Sequence, residues 1–396
     1  MVKKFDIPEE LQDSSWTGNA PDVVSPPGLK FANLNLVENW TVKLEFHVNG
    51  ALTTGSGFFV NFPDCAYDVV LTAAHNLISP AGTLSSDLTV LLADGTRVPA
   101  TNFRVSDAYK VQQTPVDDYG AILLPRAPSG VPRDGYPFSM RLAFEDAFKG
   151  SIYVSGYRAD TQPGQPKTSS GACVGCYAEQ LEYKAGTEQG ISGSPVWIEY
   201  QGLQTAVAIH NRRPERARGG SRGSRLSPKL LREVFVWASV GEYGVELSAQ
   251  ASIATRALLP ARGLYLSFPE DFPFARVRLG SGTKLDVLPA YATSETVLYA
   301  MMTVDRKWVT FNPAKGELVL SERMRDGSLF KKANVKLKKK AMRIVVESGG
   351  KSYQLRVQGT RIRKADGENA ESSEVSMVEY PMENDKAFTE FWFESR

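Results

Sequence analysis

Gly190-Ile191-Ser192-Gly193-Ser194-Pro195 is a serine in a glycine-flanked turn that runs straight into the apolar stretch Pro195 to Glu199. Glycine on either side lets the backbone turn sharply, and such a turn leaves N–H groups free to bind an oxyanion. A serine hydroxyl is a poor nucleophile at neutral pH. It needs a base to take its proton and a third group to hold that base in the right tautomer. The base must come from three histidines, His47, His75 and His210. His75 closes Val69-Val70-Leu71-Thr72-Ala73-Ala74-His75, a strand ending in small residues, which lets a base project from its end into a cleft. Asp118 stands in Asp117-Asp118-Tyr119-Gly120-Ala121-Ile122-Leu123-Leu124, a carboxylate at the mouth of an apolar strand. Low dielectric there would strengthen its hold on an imidazole. Asp117 is the competitor for the same role, and His47, on a predicted strand, reads as structural.

Around these segments lie many short β-branched or alternating runs broken by Gly, Pro, Asn and Asp. They are Val42 to Val48, Gly57 to Asn61, Val69 to Ala73, Leu88 to Leu92, Gly120 to Leu124, Ser151 to Ser155, Pro195 to Glu199 and Ala206 to Ile209. Short strands at this spacing predict an all-β barrel or sandwich. The first clear helix is expected at Pro228 to Ala238, with Ser227 as N-cap, Pro228 where a helix tolerates it, and Leu230, Leu231, Val234 and Trp237 on one face. Residues 1–37 are rich in Pro, Asp and Ser and read as an N-terminal arm or prosegment. The strand-rich section 246–396 reads as a second domain. Within it, Lys307 to Phe311 with Glu317 to Ser321 and Leu329-Phe330 parallels Ser352 to Val357 with Thr360 to Ile362. This weak repetition leaves a β-trefoil and some other antiparallel β-domain both open.

A chain of 396 residues predicts two domains or three with extensions. With 23% charged and 42% hydrophobic residues it has the balance of an ordinary globular protein. The formal charge of +2 argues against nucleic acid as a global partner. No run approaches a membrane-spanning helix, and no signal-peptide core is seen. Three cysteines, Cys65, Cys173 and Cys176, are too few for a disulfide framework, so a cytoplasmic location is expected. Cys173 and Cys176 form a C-x-x-C pair on a strand-like stretch, where an odd separation should send the side chains to opposite faces, against a zinc or redox role. With no metal constellation and no phosphate-binding glycine loop, neither metal nor organic cofactor is expected.

Thr72-Ala73-Ala74-His75, Asp118-Tyr119-Gly120-Ala121-Ile122 and Gly190-Ile191-Ser192-Gly193-Ser194-Pro195 resemble the signature segments of chymotrypsin-fold serine peptidases, in that family's His, Asp, Ser order. Gly55-Ser56-Gly57-Phe58-Phe59 is similar to the family's strand before the histidine, and Arg225-Leu226-Ser227 with the following helix is similar to its close. The resemblance covers roughly residues 38 to 240. It implies a chymotrypsin-like double antiparallel β-barrel with a C-terminal helix over 38–245, a serine endopeptidase activity, and His75, Asp118 and Ser192 as the triad. The oxyanion hole it implies is the N–H pair of Gly190 and Ser192. Where trypsin has an acidic residue before the nucleophile this chain has Ile191, so activation by an N-terminal ammonium ion pair is not expected.

The resemblance also indicates specificity. Thr187, five before the nucleophile, and His210, closing Ala206-Val207-Ala208-Ile209-His210, look like the pocket residues of glutamyl endopeptidases. Hydroxyl and imidazole donors suit a carboxylate. The expected substrate is a protein or peptide with Glu, or less readily Asp, before the cut. Small residues usually follow that histidine, whereas here Asn211-Arg212-Arg213-Pro214-Glu215-Arg216-Ala217-Arg218 follows, either as a solvated insertion or as a cationic guide for acidic substrates. A second function class is an inactive peptidase-fold scaffold whose C-terminal β-domain binds carbohydrate or protein.

Overall fold

The computed structural model describes residues 34–140, 151–159, 166–186, 190–200, 202–212, 220–249, 264–270, 274–279, 282–293, 296–324, 326–334, 342–348, 351–358, 372–380 and 391–394. The chain divides into two compact units, Met1–Val240 with Tyr291–Thr296, and Gly241–Ala290 with Val297–Arg396. Most of the expected arm, 1–33, lies outside the described residues.

The first unit opens with helix α1 (Leu34–Trp40), followed by β1 (Thr41–Val48), β2 (Ala51–Val60), β3 (Tyr67–Thr72), β4 (Ser86–Leu91), β5 (Arg97–Pro99), β6 (Phe103–Val105), α2 (Asp107–Gln112) and β7 (Gly120–Pro125). These seven strands form one sheet in the order β5-β4-β1-β2-β3-β7-β6. Alternation dictates which face is inside: Val42, Leu44 and Phe46 of β1 are buried, while Lys43, Glu45 and His47 between them reach outward. Val70 of β3, Ile122 and Leu124 of β7 and Val90 of β4 complete this core.

After β8 (Phe138–Ser139) come β9 (Ser151–Gly156), β10 (Lys167–Cys176), β11 (Gln180–Tyr183), β12 (Pro195–Tyr200), β13 (Leu203–Arg212), β14 (Ser221–Arg225) and helix α3 (Pro228–Ala238). The antiparallel pairings β9–β10, β10–β11, β11–β14, β14–β13, β13–β12 and β12–β9 return to their starting strand. They close a six-stranded barrel. A half-barrel, a closed barrel and a terminal helix make the all-β, chymotrypsin-like double-barrel fold.

Helix α3 begins as its sequence dictates, with the Ser227 Oγ accepting the Leu230 N–H at 3.3 Å. Leu230, Leu231 and Val234 are buried, joined by Phe235 and Ala238, while Trp237 is half-buried and tilts against Tyr119 at 6.3 Å between centroids. The C-x-x-C reading is corrected here. The β10–β11 register shifts between Cys173 and Gly175, so Cys173 faces Tyr183 and Cys176 faces Leu181. Tyr183 and Leu181 share a face, and the extra residue of the bulge puts both free thiols on it.

In the second unit the core gathers Val245, Leu247, Leu266, Val309, Phe311 and Leu355. Trp308–Asn312 and Glu317–Ser321 form the expected hairpin. Lys351–Gln358, expected to start a matching unit, instead runs between Met342–Ser348 and Ser372–Tyr380. Thr360 to Ile362 lie outside the described residues.

Buried tyrosines of the first unit, Tyr136 and Tyr183 among them, give its stability a sign with pH. Burial pushes the hydroxyls of Tyr136 and Tyr183 well above the ordinary tyrosine value of 10.0. The folded chain keeps both protons where the unfolded chain releases them, so their stabilisation is complete below pH 10 and is lost as pH rises beyond it. Stability is therefore expected to fall as pH rises above 10. Urea midpoints at pH 8, 9, 10 and 11 check this; a flat profile through pH 11 would contradict it.

Candidate active site

The register of β3 and β7 decides what meets at the cleft. Thr72 pairs with Gly120, so β3 leaves the sheet where β7 enters it. His75, three residues past Thr72, and Asp118, two before Gly120, therefore emerge at one edge. The Asp118 Oδ2 lies 2.8 Å from His75 Nδ1, and Asp118 Oδ1 accepts the His75 backbone N–H at 3.0 Å. One buried carboxylate thus holds both the ring and its backbone, with Asp118 4% exposed and the His75 side chain 31% exposed. Asp117 turns elsewhere: it accepts from the Thr114 hydroxyl at 2.6 Å and from Lys229 Nζ at 3.1 Å. The turn leading to Asp118 is anchored through the Pro115 carbonyl, which accepts from Asn211 Nδ2 at 2.7 Å and Ser224 Oγ at 3.1 Å.

Ser192 is half-buried and its turn is held from two sides. On one, its carbonyl accepts the Ser56 N–H at 2.8 Å and Asn76 Nδ2 at 2.9 Å, which places the serine backbone beside the neighbour of His75. On the other, Gly193 N–H donates to the His210 carbonyl at 2.7 Å and His210 N–H to the Ser194 carbonyl at 2.9 Å. Gly190 at φ +98° and Gly193 at φ +88° occupy the left-handed region that favours glycine. A Cβ on Gly190 would come 2.8 Å from the Tyr157 carbonyl oxygen. Among the described residues no acceptor meets the N–H of Gly190 or of Ser192. Ile191, between them, is buried.

His210 is 1% exposed inside the second barrel, its Nδ1 2.6 Å from the Tyr183 hydroxyl. Thr187 lies outside the described residues, as does 213–219 of the arginine-rich run. Two arginines beyond that run sit on β14: Arg222 faces Glu182 at 3.7 Å, and the buried Arg225 donates to the Tyr177 carbonyl at 3.3 Å.

The structure thus brings His75 to Asp118 and the Ser192 turn to the His75 segment, and it joins His210 to that turn through two backbone bonds. Sequence reasoning missed Ser56, Asn76, Tyr183, Asn211 and Ser224. A readable signal existed for Ser56, which stands between two glycines; the others are ordinary residues whose partners are 13 to 116 positions away.

The fold of the first unit is that of the chymotrypsin-like proteases. No family model matches the chain, and no curated protein matches it. Among solved structures, a thermostable serine protease from an extremophilic microorganism is similar at 14% identity over 51% of this chain and 98% of that one, with TM-score 0.43. A Glu endopeptidase is similar at 19% identity over 51% and 91%, TM-score 0.40. A scabies mite inactivated protease paralogue is similar at 16% identity over 50% and 96%, TM-score 0.39.

Proposed function

We propose that the chain is a serine endopeptidase that cleaves after Glu, and less readily after Asp, through Ser192, His75 and Asp118. The observation that carries this reading is the double hold of Asp118 on His75, at 2.8 and 3.0 Å, beside a serine turn bonded to the residue after His75. An ionised Asp118 accepts Nδ1–H, which leaves Nε2 as the basic nitrogen. Nε2 takes the Ser192 proton as Oγ attacks the scissile carbonyl. The N–H groups of Gly190 and Ser192 receive the oxyanion, and His75 returns the proton to the leaving amine. Water then attacks the acyl-enzyme, with His75 again as base, and releases the acid product. None of these steps requires a metal or an organic cofactor.

For specificity, His210 and Thr187 are the proposed carboxylate donors. Tyr183 supports the first of them. Its hydroxyl keeps its proton and donates to His210 Nδ1, which sets the ring proton on Nε2 and makes that nitrogen the proposed donor to an anion. A carboxylate entering such a pocket without donors would be strongly disfavoured, so the donors select for it. Tyr183→Phe is expected to lower kcat/KM for Glu substrates about 10-fold, mainly through KM, the size of one hydrogen bond to a charged system. Rates after Glu and Gln measured side by side check it; an unchanged Glu-to-Gln ratio would remove Tyr183 from the pocket.

A peptide panel varying the residue before the scissile bond, run with wild type and Ser192→Ala, tests the whole reading. Cleavage after Glu by wild type alone is expected. Efficient cleavage after Arg, Lys or aromatic residues would overturn the acidic preference, and no cleavage of any peptide would favour a scaffold.

A further inference from the structure

Asn76 is buried at 2% exposure, immediately after His75, and it closes a ring of hydrogen bonds with the nucleophile's own backbone. Its Nδ2 donates to the Ser192 carbonyl at 2.9 Å and to the Thr72 hydroxyl oxygen at 3.0 Å. The Thr72 hydroxyl in turn donates to the Ser56 carbonyl at 2.7 Å, and the Ser56 N–H donates to the Ser192 carbonyl at 2.8 Å. Ser192, Ser56, Thr72 and Asn76 thus form one closed circuit that joins the serine turn, β2 and the end of β3. Every bond in it has ordinary length. The Asn76 carbonyl is fixed separately by the Ser85 hydroxyl at 2.9 Å, so the side chain works from an anchored backbone.

The circuit exists because residue 55 has no side chain. A Cβ on Gly55 would lie 2.6 Å from Asn76 Nδ2 and 2.8 Å from its Cγ, inside the space the amide fills. Gly55 has neither a positive φ nor a turn to make, so close approach of the amide is the physical reason for glycine there. Gly193 is under the same constraint from the other side, its hypothetical Cβ falling 2.8 Å from Asn76 Nδ2. Two glycines from opposite directions therefore make room for one amide.

We propose that Asn76 is a positioning residue that sets the distance and angle of the Ser192 nucleophile relative to His75, acting on the rate of acylation and not on substrate affinity. This rests on the peptidase reading above. Asn76 adjoins His75 in the chain and its amide bonds the carbonyl next to the Ser192 Cα, so the clamp spans the two reacting partners by a path of few free torsions. Loss of it lets the serine turn shift relative to the base, and displacements near 1 Å cost about 100-fold in rate.

The test is the second-order rate constant for fluorophosphonate labelling of Ser192, with kcat, KM and Tm, in Asn76→Ala, Asn76→Asp, Gly55→Ala and the Gly55→Ala/Asn76→Ala double variant. Asn76→Asp keeps the shape of the side chain and removes its donors. Labelling and kcat are expected to fall about 10- to 100-fold in each single variant, with KM within about twofold. The double variant is expected to match Asn76→Ala, because the new methyl enters space the amide has left; the two losses do not multiply. A folded Asn76→Asp that labels at the wild-type rate, or losses that multiply in the double variant, would overturn the clamp and leave the peptidase reading standing. Wild type that does not label at Ser192 would remove both.

Discussion

Asp118→Asn is expected to lower kcat about 10⁴-fold with little change in fold, whereas Asp117→Asn is expected to stay within about fivefold of wild type. The two carboxylates are adjacent in sequence and both buried, but they do different things. Asp118 bonds the His75 ring at 2.8 Å and the His75 N–H at 3.0 Å. An amide in its place can offer its NH₂ group to Nδ1, which favours the tautomer with the proton on Nε2, where the base should be free. Asp117 bonds Thr114 and Lys229 and leaves the imidazole alone. Steady-state kinetics on both variants decide the matter. Loss of turnover in Asp117→Asn with retention in Asp118→Asn would reverse the roles.

Gly193→Ala is expected to abolish turnover, by at least about 10³-fold, and to lower Tm as well. The residue sits at φ +88°, where an L side chain is strained by about 1–2 kcal/mol. The larger effect is steric. Its Cβ would be driven into the Ser56 carbonyl oxygen and the Thr72 hydroxyl, which bond each other where the end of β3 meets β2 beside the serine turn. Backbone cannot yield there without moving Ser192 away from His75. By contrast Gly202→Ala, at φ +78° on the β12–β13 turn with no atom within 4 Å of the added Cβ, isolates the conformational part and is expected to cost only about 1 kcal/mol. Thermal melts and kcat for the pair separate strain from clash; equal behaviour of the two would contradict the steric account.

How much of this was legible in the sequence follows from how local each signal is. His75, Asp118 and Ser192 sit at strand ends and in a glycine turn whose residue types are themselves the signal, and β1, β3, β7, β12 and β13 announced themselves by alternation or apolar runs. β10 read as a strand only around its cysteines, because Lys167 to Cys176 is mostly Ser, Thr, Gly and Cys and buries no residue along its length. The bulge between Cys173 and Gly175 is invisible to a period-two reading, which is why the cysteines were assigned to opposite faces. β5, β6 and β8 are two or three residues long, too short to show any period. Asn76 and Tyr183 carry no local signature at all. Their meaning comes from partners that only the closed barrel and the packed serine turn bring within 3 Å.

The most direct measurement is active-site labelling of wild-type protein with a fluorophosphonate, read by intact mass and by mapping of the modified peptide. One adduct per chain on Ser192, absent from Ser192→Ala and slowed in Asp118→Asn, is the predicted result. Folded wild-type protein that takes up no adduct, or an adduct on another residue, would contradict the assignment of Ser192 as nucleophile.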